Sequence, residues 1–195
     1  MTTNDSSLPP WISGEFDIAG LLRGAPRLLT REQFVDHIER QSEITRKSID
    51  WRFAVFIVNI DALKLLEAQR GKLVADEFLR SAAERVGRRL NPRDAVALMR
   101  DQCFAVLIEV PLFQASLEEI AASMQRDVMS LVAELNAGID ATASIGIAKL
   151  KRHYFNASDI IRDAGIALNH AREAAPGSVV IFNRSMETPE AAIAI

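Results

Sequence analysis

The sequence predicts an α/β sandwich, ferredoxin-like or palm-like, with helices packed over a central, mostly antiparallel sheet. Three observations carry this. An apolar, β-branched run from Phe53 to Ile60 is bounded by charge, as a central strand covered on both faces is. Two further apolar runs, Ala95 to Met99 and Phe104 to Val110, are separated only by Arg100–Cys103, which is hairpin spacing. Stretches with helical periodicity stand between the strands and give the order α-β-α-β-β-α-β-α-β.

The elements run in order along the chain. Residues 1–27 read as an arm or linker. Its first ten residues are mostly polar and end in Pro9-Pro10, and Gly14, Gly20, Gly24 and Pro26 break up the apolar stretch after them. Thr30-x-x-Gln33 is a capping-box start, with Phe34, Ile38 and Thr45 on one face of the helix it opens. After the Phe53–Ile60 strand, Leu73, Val74, Phe78, Leu79, Ala82, Ala83, Val86 and Leu90 fall at helical spacing, and Asn91-Pro92 ends that helix. The hairpin comes next. Ser116-x-x-Glu119 opens a helix with Leu117, Ile120, Met124, Val128, Leu131 and Leu135 inward. Ala141 to Leu150 is a strand. Asn156 or Ser158 caps a helix carrying Ile160, Ile161, Ala164, Ala167, Leu168 and Ala171. Val179 to Phe182 closes the sheet. The domain is expected over residues 28–183, with 184–195 a tail.

Composition bounds the function. The 195 residues amount to one domain with tails, or at most two small ones, at roughly 100–200 residues per domain. A net charge of −3 argues against a nucleic-acid module, which carries a basic excess. The single cysteine, Cys103, excludes an internal disulfide framework and a multi-Cys zinc site. Apolar runs such as Phe53 to Val58 fall far short of the ~20 residues that span a bilayer, and the polar start has no signal-peptide pattern. A cytoplasmic protein without membrane insertion is expected.

Two places could carry chemistry. Asn59 and Asp61 stand at the carboxyl end of the first strand, where residues i and i+2 point the same way and open α/β sheets bind ligands. Two carboxylates there would make a Mg²⁺ platform, but only one is present. The plainer reading of Asp61 is a turn or helix-cap residue. The hairpin tip, Arg100-Asp101-Gln102-Cys103-Phe104, lies beside that strand end. Tight hairpins favour Gly, Asn or Asp where φ is positive, so Arg100 predicts a widened or strained loop. Elsewhere, Arg85, Arg88 and Arg89 share one helix face, read as solvated or as a basic strip for an acidic partner. His37, His153 and His170 have no metal-ligand spacing. Cys103 reads as an inert small residue.

From about Leu28 to Phe182 the chain resembles a GGDEF domain, the catalytic module of diguanylate cyclases. Phe56-Ile-Val-Asn-Ile-Asp-x-Leu-Lys64 looks like the family's Leu-Leu-x-Asp-x-Asp-x-Phe-Lys strand and turn. Gly71 and Asp76 fall where it has Gly-His-x-x-Gly-Asp. Thr142-Ala-Ser-Ile-Gly-Ile-Ala148 matches Thr-x-Ser-Ile-Gly-Ile-Ala, and Ala167-Leu-Asn-His-Ala-Arg172 stands for Ala-Leu-Tyr-x-Ala-Lys. The departures lie at the reactive positions. The pentapeptide has lost both glycines and both acids in register, with Asp101 at a glycine position. Asn59 replaces the first metal-binding aspartate, Glu67 the base-reading asparagine. Asn91-Pro-Arg-Asp94 lacks the arginine that opens the product-inhibition motif.

The resemblance therefore implies the GGDEF fold without the chemistry. Asn59 and Cys103 are degenerate metal positions and Asp61 a weak candidate, so neither Mg²⁺ nor cyclase activity is expected. Such a domain would work as a regulatory module in bacterial cyclic di-GMP signalling, by binding a protein partner or by homodimerising. The alternative is a non-catalytic GTP or cyclic di-GMP sensor using Lys64, Asp76 and Arg172. A second alternative is a divergent nucleotidyl cyclase with Asp61, Glu67 or Asp101 as ligands.

Overall fold

A computed structural model describes residues 28–47, 51–91, 93–100, 102–111, 116–134, 141–150, 154 and 156–186. The arm at residues 1–27, Pro92, Asp101, Leu135, His153 and the tail beyond Met186 lie outside the described residues, as does the Thr45 side chain. The elements run α1 (Arg31–Lys47), β1 (Trp51–Ile60), α2 (Leu63–Arg70), α3 (Lys72–Gly87), β2 (Ala95–Leu98), β3 (Cys103–Pro111), α4 (Leu117–Glu134), β4 (Ala143–Lys149), α5 (Ala157–Ala174), β5 (Val179–Ile181) and a 3₁₀ turn at Arg184–Met186.

The five strands are ordered β2-β3-β1-β4-β5, with β1 at the centre. All neighbours pair antiparallel except β4 and β5, which are parallel. The ferredoxin-like expectation holds, and Leu28–Thr30 adds to the β2 edge through a parallel bridge from Leu29 to Ala97.

Alternation along β1 sends its side chains into two cores. Ala54, Phe56, Val58 and Ile60 join Phe78, Ala82 and Val86 of α3 and Met124 and Val128 of α4. Phe53, Val55 and Ile57 join Phe34 and Ile38 of α1 and Ile160, Ala164 and Leu168 of α5. Each large side chain fully buried this way is worth on the order of 1.5–3 kcal/mol of transfer free energy. On the second face β4 and α5 meet backbone to backbone. A Cβ at Gly146 would lie 2.2 Å from the Ala164 carbonyl oxygen and from the Leu168 nitrogen.

The capping boxes form as the sequence predicts. Thr30 N–H donates to Gln33 Oε1 (3.1 Å) and Gln33 N–H to Thr30 Oγ1 (3.3 Å). Ser116 and Glu119 exchange the same pair of bonds at the start of α4. Asn156, not Ser158, caps α5, accepting from Asp159 N–H at 3.0 Å.

Three expectations are corrected. The periodicity starting at Leu73 misses α2, a separate helix that Gly71 (φ 90) divides from α3. Leu73 sits in the exposed first turn of α3, 85% accessible, and is not core. The arginine strip is not simply solvated. Arg85 makes a two-pronged ion pair with Glu134 (2.6 and 2.7 Å), and Arg89 pairs with the buried Asp127 (2.9 Å), tying α3 to α4.

Candidate functional site

The carboxyl end of β1 gathers the predicted polar residues through strand register. Asn59 is directly opposite Cys103 on β3 and opposite Ser144 on β4. These three and Asp61 lie on the sheet face covered by α1 and α5, because every second residue of a strand shares a face.

The Cys103 thiol donates to Asn59 Oδ1 at 3.8 Å, and Asn59 Nδ2 donates to Asp61 Oδ1 at 3.2 Å. A neutral amide and a buried thiol thus meet at the strand end, bonded to each other.

Asp61 is the hub of the corner. Its Oδ1 also accepts from Ser144 Oγ (2.7 Å), and its Oδ2 from Thr142 Oγ1 (2.6 Å) and Gly177 N–H (2.8 Å). Both carboxylate oxygens therefore carry two donors each. No Lys, Arg or His pairs with it among the described residues. Gly177 takes φ +76, a conformation that favours glycine, and this turns its N–H toward the carboxylate. Gln125 of α4 holds the same turn, its Nε2 donating to the Gly177 and Ala143 carbonyls at 2.7 and 2.8 Å. Asp61 is a turn residue and not a helix cap. Ala62 occupies the α2 N-cap with no side-chain cap bond.

At the hairpin tip the positive φ falls on Gln102 (φ 60), not on Arg100. Met99 N–H donates to the Cys103 carbonyl (2.9 Å), closing the hairpin, and Gln102 Nε2 donates to Glu67 Oε2 on α2. Arg100 is exposed.

The proposed nucleotide contacts are not drawn into this corner. Asp76 accepts from Lys72 Nζ on both oxygens (3.0 and 3.1 Å), and that bond raises the Lys72 pKa. Lys64 is exposed on α2 and Arg172 is exposed in the last turn of α5. Neither forms a hydrogen bond or ion pair with Asn59, Asp61 or Asp76 among the described residues. In the Asn91–Asp94 turn, Asp94 accepts from Asn91 N–H (2.8 Å) and Glu109 N–H (2.9 Å), while Arg93 pairs with Glu109 (3.0 Å). His37 Nε2 lies 2.9 Å from the Arg93 carbonyl oxygen. Among the described residues no three His, Cys, Asp or Glu side chains are grouped to share a metal ion. No helix among them is long and apolar enough to cross a membrane.

Sequence reasoning gave no site role to Thr142, Ser144, Gly177 or Gln125. The one signal for them is the Thr142/Ser144 alternation, which places two hydroxyls on one side of the chain where it enters β4.

Comparison with known proteins agrees with this architecture. Residues 25–177 match the family model described as diguanylate cyclase, GGDEF domain. An uncharacterised protein of Mycobacterium tuberculosis is 26% identical over 133 residues, 68% of this chain but 21% of its own length. The chain thus spans about a fifth of that relative. The isolated GGDEF domain of YfiN (TpbB) from Pseudomonas aeruginosa superposes with a TM-score of 0.67 at 23% identity, covering 84% of this chain and 95% of that one. Diguanylate cyclase SiaD from the same organism, in complex with its activator SiaC, gives a TM-score of 0.65 at 19% identity, covering 85% and 65%. With the sheet order and a family match across most of its length in agreement, the chain belongs to the GGDEF domain family, related to diguanylate cyclases and to cyclic di-GMP signalling.

Proposed function

We propose that this GGDEF domain does not turn over GTP and acts in cyclic di-GMP signalling as a regulatory, protein-interaction module. The observation that carries this is the Asn59–Cys103 pair. Cyclase chemistry needs metal ions that neutralise phosphate charge and activate a hydroxyl. Mg²⁺ takes hard oxygen ligands in near-octahedral geometry. Asn59 offers a neutral carbonyl already engaged by a thiol, and a thiol is a soft donor that Mg²⁺ disfavours.

Asp61 does not make up the deficit. Using its oxygens for a metal would strip four donors, and hydrogen bonds to a charged group are worth about 1.5–3 kcal/mol each. The donor set therefore does not fit Mg²⁺. Function by contact with another protein is supported by the SiaD structure, in which a diguanylate cyclase is held by an activator protein.

Calorimetric titration with GTP and with cyclic di-GMP, each with and without Mg²⁺, tests the reading. The expected result is no binding tighter than about 10 µM, roughly −7 kcal/mol. Tighter binding without turnover would move the assignment to a nucleotide sensor.

A further inference from the structure

The two edges of the sheet are finished differently. Beside β2, Leu28–Thr30 covers the edge, with Leu29 N–H donating to the Val96 carbonyl at 2.9 Å. β5 is the other edge, and no described strand lies beyond it. In its ladder with β4, Ile145 N–H donates to the Ser178 carbonyl (2.9 Å) and Phe182 N–H to the Ile147 carbonyl (2.8 Å). Residues along a strand turn their backbone groups to its two edges alternately. The N–H and C=O of Val179 and of Ile181 therefore point away from β4, and they meet no partner among the described residues. Sheet edges are ordinarily guarded by charge, proline, a bulge or a covering segment. Val179-Val180-Ile181 has no charge, proline or bulge. It is half-buried and apolar on both faces, with Val179 and Ile181 against one core and Val180 against the other.

We propose that β5 pairs antiparallel with β5 of a second copy of this chain, joining the two sheets into one. The strand is complementary to itself about a two-fold axis through Val180. Val179 exchanges both backbone bonds with the partner's Ile181, and Ile181 with the partner's Val179, so every outward group of both strands is satisfied. Val180 meets the partner's Val180 in the close, non-hydrogen-bonded position, an apolar cross-strand pair. Ser178 and Asn183 flank the strand without charge, so no like charges oppose each other along it. The ends are complementary in charge. Antiparallel pairing carries the exposed Arg184 toward the C-terminus of the partner's α5. The helix dipole and the partner's exposed Glu173 favour a cation there, with the partner's Arg172 opposing it. The pairing does not rest on the proposed absence of GTP turnover, because the β5 edge lies apart from the Asn59–Cys103 pair in the sheet order.

Amide hydrogen exchange, read residue by residue by NMR on the native full chain, tests the pairing alongside the mass in sedimentation. The Val179 and Ile181 amides are expected to exchange roughly tenfold more slowly at about 1 mM chain than at about 10 µM, in step with a rise to dimer mass. The Val180 and Phe182 amides, which face β4, stay protected throughout. Fast exchange at Val179 and Ile181 at every concentration would overturn the pairing. Slow exchange at monomer mass would overturn it too, since the chain then covers its own edge. Val179→Pro removes one outward N–H per copy and no bond to β4, and edge strands accept proline in that orientation. It is expected to weaken dimer formation by about tenfold or more. Dimer formation as strong as in the native chain would contradict the proposal, and the native-chain exchange decides it even where the variant does not fold.

Discussion

The Asp61 corner and the α3–α4 seam hold carboxylates by opposite means. Asp61 is surrounded by an amide, two hydroxyls and a backbone N–H, and takes no cation among the described residues. Along the seam, Asp127 and Glu134 meet the Arg89 and Arg85 guanidiniums. Fixed dipoles place a carboxylate rigidly and use up its lone pairs, so it is poorly available to a metal. Ion pairs on long exposed side chains add little rigidity and weaken with salt. The carboxyl end of β1 is therefore built as a structural joint between β1, β4 and the turn before β5, while charge pairing holds the α3–α4 seam.

The largest expected effect removes the support on which the corner stands. Gly146→Ala drives a methyl into the α5 backbone, which cannot yield as a flexible side chain would. A stability loss of about 3 kcal/mol or more is expected in urea denaturation. Stability close to wild type would show that α5 does not hold β4 in place.

Next comes the corner itself. Asp61→Ala leaves the Thr142 and Ser144 hydroxyls and the Gly177 N–H without their acceptor. About 2–3 kcal/mol should be lost. The loss should be nearly independent of salt as the Debye length is shortened from about 14 to about 4 Å. A loss that shrinks with salt would break the contrast with the seam.

Arg89→Ala probes the other side of the comparison. It leaves the buried Asp127 unpaired, but Arg89 is itself largely exposed, so about 1 kcal/mol is expected, decreasing with salt. Arg85→Ala should cost less again, since Glu134 is exposed.

The seam also gives a pH signature of two signs. Burial raises the Asp127 pKa above its ordinary 3.8, with Arg89 pulling it back. Its contribution to stability is therefore fullest below pH 3.8 and is lost as pH rises through the raised folded value. The bond from Arg85 lowers the Glu134 pKa from 4.5, so its contribution is present above that pH and is lost as pH falls through the lowered folded value. Asp127→Asn should accordingly gain on wild type as pH rises above 3.8 and through the raised folded value, as read from chemical denaturation midpoints. A gain that runs the other way would contradict the burial effect.

Much of the fold was legible because its signals are local. The Thr30/Gln33 and Ser116/Glu119 boxes, a cap at Asn156 or Ser158 and the apolar run of β1 each lie within a few residues of chain. The α2 helix escaped because its eight residues are short and Gly71 joins it directly to α3. The neutral side chains of Asn59 and Cys103 are plain in the sequence, and strand register brings them face to face. The Asp61 hub could not be read, since three of its four partners lie 81, 83 and 116 residues away and only the folded sheet unites them. The arginine strip failed for a related reason. Helical spacing puts Arg85 and Arg89 on one face, but it does not reveal that α4 lies beside that face. At the hairpin, composition pointed to strain at Arg100, whereas the left-handed residue is Gln102, whose side chain finds a partner on α2.

On the proposed reading, a neutral amide and thiol at the strand end leave no seat for the metal that cyclase chemistry requires. Incubation of the purified chain with GTP and either Mg²⁺ or Mn²⁺, followed by chromatography for cyclic di-GMP and pyrophosphate, tests it most directly. No product above a protein-free blank is expected. Product that forms with either metal and disappears in Asp61→Asn would contradict it.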